Sequence, residues 1–61
     1  MKTEYKINEY ITAYVDDNKK ISAFVYYSSD FFFNYDFGKL DRYIQKQIID
    51  YFTKNNIDYK L

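Results

Sequence analysis

A chain of 61 residues holds one domain and buries only about 60% of its unfolded surface, so it needs either very good packing or a partner subunit. It has no Cys and no His, which excludes disulfides, thiol chemistry, thiolate metal sites and the usual neutral-pH general base. Nine basic and nine acidic residues cancel, so nothing draws the chain from a distance to nucleic acid or to an anionic membrane.

The chain opens with an alternating stretch. Between residues 5 and 15 the odd positions are Tyr5, Ile7, Glu9, Ile11, Ala13 and Val15, and the even ones Lys6, Asn8, Tyr10, Thr12 and Tyr14. This period of two predicts one half-buried strand over 5–15, with Glu9 the misfit on its apolar face. Asp16-Asp17-Asn18-Lys19 follows as a turn cluster, since Asp and Asn satisfy local backbone groups and tolerate positive φ.

The stretch 20–37 is rich in aromatic and β-branched residues and reads as sheet. Placing Val15 opposite Ile21 sets Ala13 against Ala23 and Ile11 against Val25, all on one face. A one-residue slip would spoil that face. The loop is then Asp17-Asn18-Lys19, with Asn18 or Lys19 left-handed. A second turn at Ser28-Ser29-Asp30 pairs Tyr27 with Phe31, Val25 with Phe33 and Ala23 with Tyr35. The competing reading keeps 20–35 as one long bent strand with a bulge at the serines.

Asp36 is placed as the cap of a helix running to Lys54, with Leu40, Tyr43, Ile44, Ile48, Tyr51 and Phe52 on its apolar stripe and Ile49 exposed opposite. Asn55-Asn56 is a natural stop. The tail 57–61 alternates again and fits either a short fourth strand at a sheet edge or an arm reaching a neighbouring subunit. The expected fold is a single α+β domain over 1–61: a three-stranded antiparallel β-meander, then one C-terminal helix packed on one sheet face.

The residues give little footing for chemistry. With one Gly and no Pro there is no phosphate-cradling loop, and Asp16-Asp17 and Ser28-Ser29 read as turns. Asp17 and Asn18 fall far short of a calcium shell. Glu9 is the one carboxylate whose place on an apolar face hints at acid catalysis. No enzyme activity, catalytic residue, cofactor, metal or small-molecule substrate is expected.

A surface remains to be explained. Fifteen aromatic residues are too many for one small core, and the even face of the sheet groups Tyr10, Tyr14, Phe24, Tyr26 and Phe32. These five are the expected protein interface, used for a homodimer or for another protein. Lys39, Arg42 and Lys46 form a basic helix stripe, and the alternative function is nucleic-acid binding through it and the sheet aromatics. Residues 1–10 lack the apolar core of a signal peptide, and no window approaches a membrane span, so a soluble cytoplasmic protein is expected. Ile, Lys, Asn and Tyr, all with AT-rich codons, make up close to half the chain. That bias fits a phage or mobile-element protein that binds and blocks a host protein.

Overall fold

The computed structural model describes residues 1–28 and 31–61, with side chains described for 1–26 and 34–61. Four strands, β1 (Thr3–Lys6), β2 (Ile11–Val15), β3 (Ile21–Ser28) and β4 (Phe31–Asp36), form an antiparallel sheet in the order β1-β2-β3-β4. A 3-10 turn (Phe37–Lys39) leads to one helix, α1 (Arg42–Lys54).

The expected strand over 5–15 is two strands joined by a turn. Asn8 makes the turn: its Oδ1 accepts the backbone N–H groups of Tyr10 at 2.8 Å and Ile11 at 3.0 Å. A side chain that satisfies two backbone donors offers the chain an alternative to continuing a ladder. The meander therefore gains its fourth strand at the N-terminal side. The tail 57–61 makes only an isolated parallel bridge, Lys20 to Lys60.

The central register is as expected: Ile11, Ala13 and Val15 face Val25, Ala23 and Ile21. Asp16 closes the connecting turn, its Oδ1 accepting from Asn18 N–H at 2.8 Å and Lys20 N–H at 3.0 Å. Lys19 is the left-handed residue, at φ 67°. Between β3 and β4, Ala23 faces Tyr35, Val25 faces Phe33 and Tyr26 faces Phe32, so residues 20–35 are not one bent strand. The ladder then shifts, and Ser28 rather than Tyr27 faces Phe31. The expected turn at 28–30 lies in part outside the described residues.

The helix starts five residues later than expected. Asp36 is still paired with Ser22 at the end of β4 and makes no side-chain cap. Asp41 is the cap, its Oδ1 accepting Ile44 N–H at 2.9 Å. Gln45 Nε2 donates to the carbonyls of Phe37 at 2.9 Å and Leu40 at 3.1 Å, satisfying the turn that leads into the helix. At the other end Asn56 is left-handed at φ 56°, Asn56 N–H bonds Thr53 O and Ile57 N–H bonds Phe52 O. That is the Schellman arrangement the two asparagines suggest.

The core is the odd face of the sheet beneath Leu40, Ile44, Ile48 and Phe52. Ala13 and Ala23 are paired and sealed at its centre, and so small a pair lets the helix come close. Ile48 and Phe52 are the largest fully buried side chains. Tyr5, from β1, meets the Phe52 ring edge-on at 5.3 Å, and Tyr59 of the tail approaches it at 5.6 Å. Two helix positions depart from the expected stripe. Tyr43 is 74% exposed, because it lies about 100° around the helix from Ile44, on the side away from Ile48 and Phe52. Ile49 is half-buried and packs against the core instead of facing water.

Candidate functional site

The helix covers one face of the sheet, and among the described residues no second layer covers the other. Across this outer face run Glu4, Tyr14, Ser22 and Asp36 in one row, and Lys6, Thr12, Phe24 and Asn34 in the next. Tyr14 and Phe24 are half-buried, and Tyr26, further along β3, is 37% exposed. The Phe32 side chain, the fifth expected interface residue, lies outside the described ones. The face is thus an aromatic diagonal set among polar residues. Tyr14 is anchored: partial burial, then the charge and hydrogen bond of Glu4 opposite, raise its hydroxyl above its ordinary value. Lys2 Nζ lies 6.0 Å from the centre of the same ring.

Tyr10 sits not on a strand but in the β1–β2 turn, and its carbonyl accepts Tyr26 N–H at 2.8 Å. The expected neighbourhood of Tyr10 and Tyr26 therefore exists, as the next step of the β2–β3 register beyond Ile11 and Val25. Both rings border a groove of about 590 Å³ between that turn, the end of β3 and the start of α1. Tyr43 borders it from the helix, and Ile11, Val25 and Ile44 form its apolar floor. Tyr10 at 56%, Tyr26 at 37% and Tyr43 at 74% are the exposed rings among the described residues, and all three are here.

Among the described residues, the charged ones lining the groove are Glu9 and Asp41, with no Lys or Arg. Glu9 is no misfit on a strand: it stands exposed in the turn. Asp41 already caps α1, so its charge offsets the positive end of the helix, and Glu9 is left as the uncompensated one. One wall is fixed to the other by Asn8 Nδ2, which donates to Gln47 Oε1 at 2.8 Å. Neither Asn8, Gln47 nor Tyr43 was legible as a site residue. The signal available was the polar pair Asn8-Glu9 interrupting an apolar alternation.

The expected basic stripe is spread over two elements. Lys39 belongs to the 3-10 turn, while Arg42 and Lys46 are one helical turn apart on α1. All three are exposed and none lines the tyrosine groove. Among the described residues no group of three His, Cys, Asp or Glu could hold a metal ion, and no helix is long and apolar enough to cross a membrane. No family model, curated protein or solved structure matches this chain.

Proposed function

We propose that this chain is a non-enzymatic protein-interaction module that self-associates through the outer face of its sheet. The observation supporting this is the uncovered aromatic diagonal of Tyr14, Phe24 and Tyr26, opposite the face that the helix already fills. Stacking two such faces would bury rings that are half-wet in the single chain and enlarge the hydrophobic content of a domain with little to spare. Self-complementarity suits a two-fold interface, in which each diagonal meets its own copy. Net neutrality favours such contacts, because two copies do not repel.

Light scattering tests this directly. The chain should run with the mass of two copies, and Tyr26→Lys or Phe24→Lys should return it to the mass of one. A dimer that survives both lysines would place the contact elsewhere and end the reading. A chain that stays single at every concentration would remove the second copy as the partner.

A further inference from the structure

We propose that the groove bordered by Tyr10, Tyr26 and Tyr43 seats an arginine side chain presented by another protein. This rests on the chain being an interaction module, but it concerns a second surface, at the end of the sheet, that shares Tyr26 with the sheet face and adds Glu9, Tyr10 and Tyr43. Three exposed rings converge on one concavity, and a flat planar cation gains from lying over such rings. The charge is complementary: Glu9 and Asp41 line the groove and no cation does. Glu9 stands in the turn, free of salt bridges among the described residues, as the carboxylate for a two-pronged guanidinium contact.

Arginine fits this chemistry better than lysine. Its guanidinium is weakly hydrated, stacks on aromatic faces and donates in a fork, whereas a compact ammonium gives up more water than an open groove returns. The apolar floor of Ile11, Val25 and Ile44 suits the methylene stem. The other grooves differ in kind. The one bordered by Lys2, Lys20 and Lys60 carries cations of its own, and so does the one bordered by Lys2 and Lys39.

The test titrates N-acetyl-arginine amide into the ¹⁵N-labelled full chain and follows amide shifts. Saturable shifts should centre on Glu9, Tyr10, Tyr26 and Tyr43. N-acetyl-citrulline amide, the neutral isostere, should bind at least about fivefold more weakly, and the lysine analogue should also fall behind. Tyr43→Ser and Glu9→Gln should each weaken arginine binding about two- to fivefold. Asp41→Asn, which keeps the cap, should weaken it less. Citrulline binding as well as arginine, or shifts centred elsewhere, would overturn the proposal. Light scattering on Tyr43→Ser separates the two surfaces: a dimer intact while arginine binding is weakened leaves the sheet-face reading standing.

Discussion

At the end of the sheet where Val15 faces Ile21 the chain ties itself off, whereas at the end where Ile11 faces Val25 it leaves rings in the open. The tied end is held by Asp16 in its turn, by Lys60 N–H on Lys19 O at 2.8 Å, and by Lys19 Nζ 3.8 Å from Asp58. Its groove, about 670 Å³, mixes Lys2, Lys20 and Lys60 with Asp16 and Asp36. Among the described residues, the groove at the open end is lined by one sign of charge and three tyrosines, and Asn8 clasps Gln47 across it. The tied end balances its charges within itself, whereas at the open end Glu9 has no salt-bridge partner among the described residues.

The contrast can be broken at several points. Phe52→Ala removes the ring that Tyr5 and Tyr59 both touch, and should cost about 3–5 kcal/mol in urea unfolding. Such a loss is a large part of the stability of so small a domain. Asn8→Ala leaves the backbone of the open turn without its acceptor and cuts the link to Gln47. It should cost about 1–3 kcal/mol, with faster amide exchange confined first to residues 7–11.

Acid should act at the tied end. The N–H groups of Lys20 and Asn18, with Lys20 and Lys2 charges nearby, hold the Asp16 carboxyl below its ordinary value, against the opposing effect of burial. A depressed acid stabilises the fold above its unfolded value, and that contribution fades as pH falls through the folded one. Wild type should therefore lose stability relative to Asp16→Asn as pH is lowered below about 4. Tyr14 works in the other direction: its raised hydroxyl contributes below the unfolded value and is lost as pH rises through the folded one. Tyr14→Phe should flatten that alkaline decline. Smallest of all, Tyr43→Ser should change stability by under about 0.5 kcal/mol, because the ring it removes is mostly in water. A large loss there would mean that Tyr43 is structural and that the open end is less open than its exposure implies.

Alternation made the β2–β3–β4 register legible, and turn chemistry narrowed the left-handed residues to Asn18 or Lys19 and to the Asn55-Asn56 pair, of which Lys19 and Asn56 are the ones. The fold-back at residues 7–10 was hidden for a geometric reason. Lys6 faces Thr12 and Tyr5 faces Ala13, so the hairpin is centred on Glu9. A hairpin centred on a residue pairs odd with odd, and its alternation is the same as that of one unbroken strand. Only the polar pair Asn8-Glu9 marked the break. The helix start was ambiguous because Asp36 and Asp41 are both good caps, and what decides between them is a strand pairing that local sequence does not carry. Drawing the apolar stripe too wide put Tyr43 in the core, which concealed one wall of the groove. The outer aromatic face followed from parity alone.

The Asn8–Gln47 bond has a kinetic corollary. It joins residues 39 positions apart, and with it the groove stands formed before any guest arrives. Entry would then await no rearrangement, so encounter should run near the fast end for orientated association. Residence should be brief, set by a few rings and one carboxylate, and the complex would be one that exchanges readily rather than one that locks.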